Sequence, residues 1–450
     1  RTPVVLMKKA LYGHPDAGSY WEQKADEQAK RVGFKQIEDW PSTYYHKELR
    51  LMLIIYVDDF KLAGPSKNMK KGWDLLTEGI KIGKPEVIDA NGTSYLGCKQ
   101  RRFTRVDSAG RLIHTMEYDM KEFVQSCIDK YVELAETGSE PRHYATPMLP
   151  ESMVHQEESE STCPWCEKRT KSKDNKAVDT VDDDFNGIIG KTFKGRAGKI
   201  VMKLLWAARI CRYDILKAVT HLASFMSKWE HIHDVKLKRL MGYLARTKDY
   251  CLYGWIGDEI QDLNPTLYAD SDFAGCTTTK KSTSGVVHQL TGPNSCFPLT
   301  ACSKKQNCVS NSTAEAELIA TCMAVRNIGL PALNIWDTVL RRKAVLTLYE
   351  DNTAMIKLLN HGYSPCMRYL GRTHAVSIAA MKEIIDLNEV KVEYINTKRM
   401  KADILTKGFN SGPIWDGARY MIMTGTREEF DRYTNSDVQN GDCHLRGKYQ

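Results

Sequence analysis

Apolar residues fall along this chain in two rhythms. Residues 51–57 read Leu-Met-Leu-Ile-Ile-Tyr-Val and run without a charge into Asp58 and Asp59, and a weaker apolar pattern resumes before Gly64-Pro65. A short apolar run bounded by turn residues predicts a buried strand, here folded back as a hairpin. Between 191 and 250 the apolar spacing becomes three and four: Leu204, Leu205, Ala208 and Cys211, then Leu216, Val219, Leu222, Ala223 and Met226. That spacing puts them on one face of successive helices. From 262 onward strands and helices alternate. Residues 266–269, 285–290 and 297–301 predict three strands. Ser312, with Glu315 three residues on, opens a helix as a capping box, whose apolar face is Leu318, Ile319, Cys322 and Met323. A strand over 345–349, helices over 353–360 and 375–387, a strand over 390–395 and a helix opening at 401–405 complete the order.

Composition bounds what these elements can build. With 450 residues, 42% of them apolar and 27% charged, the chain has ordinary globular content and a length that predicts about three domains. Thirteen cysteines, an odd number without a repeated spacing, disfavour a secreted disulfide framework and place the chain in a reducing intracellular compartment. No apolar run approaches the ~20 residues of a membrane span, and no signal peptide opens the chain. The chain begins at Arg1, and Pro3-Val4-Val5 reads as mid-domain sequence, so the expectation is a segment of something longer.

The net charge of +8 is local. Residues 191–250 hold 14 Lys and Arg against 4 Asp and Glu, whereas residues 151–190 hold 5 against 10. The basic residues Lys203, Arg209, Arg212, Lys217, Lys228, Lys236, Lys238, Arg239 and Arg246 can populate the face opposite the apolar one. A solvated basic surface explains them, and so does a surface that tracks phosphates. The acidic stretch is poor in large apolar residues and reads as a linker. Cys163 and Cys166 lie inside it. Two thiols are half of a structural zinc site, so a zinc-binding interaction protein, with His155 recruited, stands as one rival reading.

Two acidic constellations carry chemistry. Asp58 and Asp59 place like charges at a strand junction, where a divalent cation with hard oxygen ligands would offset them. In the later segment, acids recur at strand ends and helix starts: Asp270 and Asp272 at the end of the first strand, Glu315 and Glu317 in the first turns of the long helix, Glu350 and Asp351 at the end of the fourth strand, and Asp403 at the start of the last helix. Four carboxylates converging there would hold two Mg²⁺ for attack on a phosphodiester. Singly, each reads as a surface acid or helix cap.

These residues bring a resemblance. Tyr56-Val57-Asp58-Asp59 resembles the catalytic palm motif of Ty1/copia-type retrotransposon reverse transcriptases. Leu6-Met7-Lys8-Lys9-Ala10-Leu11-Tyr12-Gly13, Tyr20-Trp21-Glu22 and Gly33-Phe34 are similar to the segment around it. Tyr95-Leu96-Gly97 resembles the element that grips the primer end, and Ala145-Thr146-Pro147-Met148 the end of the thumb. The stretch 191–250 is similar to the helical connection. Tyr268-Ala269-Asp270-Ser271-Asp272-Phe273-Ala274-Gly275, Lys281-Ser282-Thr283-Ser284-Gly285, Ser312–Ala320, Glu350-Asp351-Asn352 and Ala402-Asp403-Ile404-Leu405-Thr406-Lys407 follow the order of the same family's ribonuclease H.

The resemblance implies a multidomain α+β and α/β chain. Residues 1–150 would be a partial reverse transcriptase of palm and thumb, 151–190 an insertion, and 191–260 a basic helical connection. Residues 261–410 would be a ribonuclease H with a mixed five-stranded sheet and flanking helices, and 411–450 a polar tail. It implies metal ligands at Asp270, Glu317, Asp351 and Asp403, and at Asp58 and Asp59. Nucleic-acid contacts fall to Leu96, Gly97, Arg209, Arg212, Lys236, Arg239, Lys398 and Arg399. The implied cofactor is Mg²⁺, two per ribonuclease H site, with Mn²⁺ as a substitute. The implied partners are an RNA–DNA hybrid, template RNA, primer DNA and, with a complete palm, dNTP, and no membrane. The compartment is the cytoplasm, a retrotransposon particle or the nucleus. Asp16 stands where the family carries a Gln near the incoming nucleotide, and the family's third polymerase Asp lies upstream of the matched segment, so the expectation is hydrolysis of RNA in the hybrid without polymerisation. The loop 396–400 holds no His, where many ribonucleases H carry one. His374 reads as structural or hybrid-contacting. A degenerate or domesticated fragment that binds nucleic acid without catalysis is the other rival.

Overall fold

The computed structural model describes residues 13–107, 109–136, 138–150, 153 and 192–437. Residues 6–12, the acidic stretch apart from Met153, and Cys163 and Cys166 with the zinc reading lie outside the described residues. The chain divides into two compact units, Arg1–Ile88 with Pro331–Lys343, and Asp89–Leu330 with Ala344–Gln450. The division falls at 88/89, whereas the sequence placed its first boundary at 150.

The first unit holds a four-stranded antiparallel sheet, β1 (Lys35–Gln36), β2 (Thr43–His46), β3 (Leu51–Tyr56) and β4 (Asp59–Ala63), in that order. Two helices, Ala17–Arg31 and Ser66–Thr77, accompany it. The apolar run of β3 alternates in burial: Leu51, Leu53 and Ile55 enter the core with Phe34, Tyr44 and Leu76, while Met52 and Ile54 are half-buried. A Cβ at Gly72 would stand 2.4 Å from Leu51 Cδ1, so glycine there lets helix Ser66–Thr77 lie close on β3.

The second unit is built on a ten-stranded mixed sheet. Its path runs β13 (Val390–Tyr394), β12 (Leu346–Glu350), β9 (Asn264–Asp272), β10 (Thr283–Gly292), β11 (Ser295–Lys305), β8 (Cys251–Ile256), β7 (Leu112–Asp119), β6 (Cys98–Val106) and β5 (Thr93–Tyr95), with β14 (Thr424–Gly425) on β8. β12 is parallel to both β9 and β13, and the other pairs are antiparallel. The five strands expected from sequence are all present, and the sheet continues beyond them. β8, Cys-Leu-Tyr-Gly-Trp-Ile, is apolar without alternation and buried through its first five residues, so no period marked it. The helices Gly198–Ile210, Leu216–Ala223 and His231–Arg246 form the basic stretch. Leu204, Ala208, Leu216, Val219 and Leu222 are buried as their spacing implied, in a core shared with helix Lys121–Ala135.

Three further expectations change. The helix expected over 375–387 begins at Ile378, because Ala375 has a left-handed φ of +55° and the Ser377 hydroxyl caps the Ala380 N–H at 3.2 Å. Lys401–Leu405 is a 3₁₀ turn rather than the start of an α-helix. One helical stretch, Thr313–Leu340, is long and apolar enough by composition to cross a membrane, and 56% of its apolar window is buried inside the protein, as for a core helix. The polar tail also contributes structure. Helix Gly412–Met421 buries Trp415 and Arg419, and Arg419 is held by Glu429, by the Thr424 carbonyl at 2.7 Å and by stacking on Tyr250.

Candidate active site

β9 delivers Asp270 into the interior of the second unit, opposite Gly285 of β10, with 2% of its surface exposed. Helix Thr313–Ala324 starts where the Ser312 hydroxyl accepts the Glu315 N–H at 3.2 Å, and its second turn presents Glu317, also buried. β12 ends at Glu350 and hands on Asp351, after which Asn352 caps the next helix by accepting the N–H groups of Ala354 and Met355. Oxygens of Asp270, Glu317 and Asp351 lie within 4.8 Å of one another. Asp403, from the 3₁₀ turn, lies close enough to feel the Asp270 charge and shares the Lys407 ammonium with it. Four acids far apart in sequence are thus delivered to one place by two strand ends, the second turn of a helix and a 3₁₀ turn.

The charges are poorly compensated. Burial, then the charges of Asp270, Glu350 and Asp351, push Glu317 up to about 10. Burial and then Asp270 push Asp403 up to about 7. Burial also raises Asp270, against the pull of Lys407 and the Thr406 hydroxyl. The buried Glu317 Oε2 has no hydrogen-bond partner among the described residues. Clustered carboxylate oxygens with an unsatisfied lone pair suit a hard divalent cation such as Mg²⁺, so the residues present fit the metal their pattern implied.

Three residues complete the site that sequence reasoning did not single out. Glu350 has no exposed surface, accepts the Thr321 hydroxyl at 3.1 Å and the Asn352 N–H at 3.1 Å, and is raised by burial to about 8. Thr406 donates its hydroxyl to Asp270. Lys407 places Nζ 2.7 Å from Asp403 Oδ1 and 3.7 Å from Asp270 Oδ1. The i, i+4 spacing of Asp403 and Lys407 was the available signal.

The neighbouring acids do other work. Asp272 pairs with Lys217 at 3.2 Å and accepts the Thr283 N–H. Glu315 accepts the Tyr369 hydroxyl at 2.6 Å and the Asn311 N–H at 2.9 Å, and faces His374 at 3.5 Å. His374 therefore belongs to this buried polar group, with 2% of its side chain exposed. A second acidic group, Glu117, Asp119 and Cys251, is already neutralised by Arg101 and Arg427.

Asp58 sits in the β3–β4 turn and Asp59 pairs with Tyr56, both exposed. Among the described residues they belong to no group of three or more metal-capable side chains. Leu96 and Gly97, with φ of +53° and +76°, form the two-residue turn between β5 and β6. The expected phosphate-tracking face is only partly a face. Arg209, Lys398 and Arg399 are exposed, and Lys236 is half-buried beside His221 at 3.0 Å. Arg212 is fully buried on Asp214 and Thr247. Arg239 is buried on Thr146 at 2.9 Å and stacks on Tyr144. Both guanidinium groups are engaged inside the protein, one by Asp214 and Thr247 and the other by Thr146.

No family profile matches the chain. It is 23% identical over 409 residues, 90% of its length, to the retrovirus-related Pol polyprotein from transposon TNT 1-94 of Nicotiana tabacum. It spans about a quarter of the length of the plant transposon polyproteins it matches. The secreted RxLR effector protein 161 of Plasmopara viticola is 30% identical over 140 residues, 31% of this chain and 89% of the effector. Among solved structures, the LC11 ribonuclease H1 from compost matches 32% of this chain and 92% of its own at 14% identity, with a TM-score of 0.24.

Proposed function

We propose that this chain, which belongs to the Ty1/copia-type retrotransposon Pol polyproteins, carries a divalent-metal-dependent ribonuclease H that hydrolyses RNA in RNA–DNA hybrids. The observation that carries the reading is the meeting of Asp270, Glu317 and Asp351 within 4.8 Å. Asp403, which shares the Lys407 ammonium with Asp270, is the fourth carboxylate of the set.

These four side chains would hold the metal, Mg²⁺ or Mn²⁺. Bound there, it supplies charge neutralisation at the phosphate and a more acidic water. The Thr406 hydroxyl fixes the orientation of Asp270. Glu350, raised to about 8 by burial and held by Thr321 and Asn352, limits the negative charge beneath the cluster. Exposed Arg209, Lys398 and Arg399 are the cations of the expected set that remain available to phosphates.

On the same reading the first 150 residues derive from reverse transcriptase, with Asp58 and Asp59 in the palm hairpin and Leu96-Gly97 in the primer-contacting turn. Residues 191–260 are the connection and 261–410 the nuclease. On the same reading the chain works in a reducing, intracellular setting, in keeping with its odd number of cysteines without a repeated spacing.

The test is cleavage of an RNA–DNA hybrid in Mg²⁺ by wild type and by Asp351→Asn. Wild type is expected to cut the RNA strand. Asp351→Asn is expected to lose at least about a hundredfold, or about 3 kcal/mol of transition-state stabilisation. Equal rates, or no cleavage by either, overturn the reading.

A further inference from the structure

Lys407 stands where a cation is wanted. Its ammonium lies 2.7 Å from Asp403 Oδ1 and 3.7 Å from Asp270 Oδ1. Asp270 and Asp403 repel each other, and Glu317 and Asp351 also feel the Lys407 charge. Lys407 is thus the cation that the structure supplies at the centre of the acidic cluster. The other lysines nearby are engaged elsewhere: Lys217 holds Asp272 and Thr283, and Lys305 Nζ holds Cys276 Sγ at 2.9 Å.

Its stem borders open space. Forty per cent of the Lys407 side chain is exposed, although Asp270 beneath it is almost wholly covered. The side chain lines a cavity of about 500 Å³ together with Lys217, His221, Asp272, Lys305 and Thr406. The Lys407 N–H is fixed to the Asp403 carbonyl at 3.0 Å, so the backbone stays in place while the flexible side chain can rotate into that space. A divalent ion bound through Asp270 and Asp403 and the ammonium cannot share the same oxygens, and two cations a few ångströms apart repel.

We propose that Lys407 is a positioning residue, a tethered counter-cation that divalent metal must displace from Asp270 and Asp403. It holds the carboxylates together while metal is absent, and it sets the metal affinity of the site. The inference rests on the ribonuclease H reading of these carboxylates.

The experiment is calorimetric titration of the whole chain with Mn²⁺ alone, at low ionic strength, comparing wild type, Lys407→Met, Lys407→Arg and Asp351→Asn. Lys407→Met is expected to bind Mn²⁺ about tenfold more tightly than wild type. Its thermal midpoint in chelator is expected to fall, and the rise on adding Mn²⁺ to exceed that of wild type. Lys407→Arg, which keeps the charge, is expected to stay within about twofold of wild type and serves as the folding control. Unchanged or weaker affinity in Lys407→Met, with Asp351→Asn clearly impaired, overturns the displacement. Equal Mn²⁺ binding by wild type and Asp351→Asn overturns the metal-site reading beneath it.

Discussion

Arg212 grips Asp214 through two parallel hydrogen bonds, Nε to Oδ1 at 2.9 Å and Nη2 to Oδ2 at 2.8 Å, with neither side chain exposed. Tyr243 donates to the same Asp214 at 2.7 Å, and Thr247 accepts from Arg212 through its carbonyl and its hydroxyl. Removing one partner of such a pair strands a buried charge and costs about 3–5 kcal/mol. Arg212→Ala is therefore expected to lower the midpoint of denaturant unfolding strongly. Arg209→Ala, on the exposed side, is expected to leave it within about 0.5 kcal/mol and to weaken hybrid binding with a shallower salt dependence. An unchanged midpoint for Arg212→Ala would count against the structural role.

Glu317 opposes stability. At pH 8 the unfolded chain ionises this carboxyl, whereas the folded site, raised to about 10, holds it neutral at the cost of taking up a proton. Glu317→Gln keeps the shape and removes that cost. In chelator at pH 8 the variant is expected to melt higher than wild type, by at least about 1 kcal/mol in stability, while losing nuclease activity. A variant that melts lower would show that the carboxylate is compensated in the metal-free protein.

The same linkage sets a pH dependence. Glu317, Glu350 and Asp403 all have folded values above their unfolded ones, at about 10, 8 and 7. Each contributes stability that is complete below its unfolded value, about 4.5 for the two glutamates and 3.8 for Asp403, and is lost as pH rises through the folded value. They face Asp270, Asp351 and Lys407 from β9, the end of β12 and the segment after the 3₁₀ turn. His288, buried and lowered to about 4, works the other way, its contribution being lost as pH falls from about 6.5. In chelator, stability is expected to fall from pH 7 to 9. Saturating Mg²⁺, which favours the ionised carboxylates, is expected to flatten or reverse that fall. Melting curves with and without metal check both, and a fall that metal does not alter would separate the trend from the cluster.

How much of this was legible depended on distance along the chain. Periodicity and capping marked the boundaries, a strand end at Asp270, a helix start at Ser312 and a strand end at Asp351, but the choice of Glu317 over Glu315 came from the resemblance of the helix motif, since capping pointed to Glu315. Asp403 came with its motif, although its turn is 3₁₀. Helical periodicity found the buried face of Leu204, Ala208, Leu216 and Val219. It failed for Arg212 and Arg239, whose partners Thr247 and Thr146 lie 35 and 93 residues away, since a helical wheel cannot show what covers its polar side. It also missed the widening of the sheet by β8, where Cys251–Ile256 has the burial of a central strand and no alternation. Arg419 looked like tail polarity because Tyr250, which it stacks on, lies far away in sequence.

Val57 carries backbone strain that the motif around it does not explain. It turns β3 into β4 with φ of +54° and is 66% exposed. A β-branched residue in the left-handed region costs roughly 1–2 kcal/mol, and here little burial offsets it. The Val57 carbonyl accepts the Trp21 indole N–H, a bond that needs the backbone and not the side chain. Val57→Gly keeps that bond and relieves the clash, at an entropic cost of about 0.5–1 kcal/mol. Val57→Asn tolerates the same φ at lower entropic cost. Both variants are expected to gain up to about 1 kcal/mol, read as greater hydrogen-exchange protection of the β3 and β4 amides, with Asn at least equal to Gly. Loss of protection in both would mean that Val57 is held in place by a contact that its exposure does not reveal.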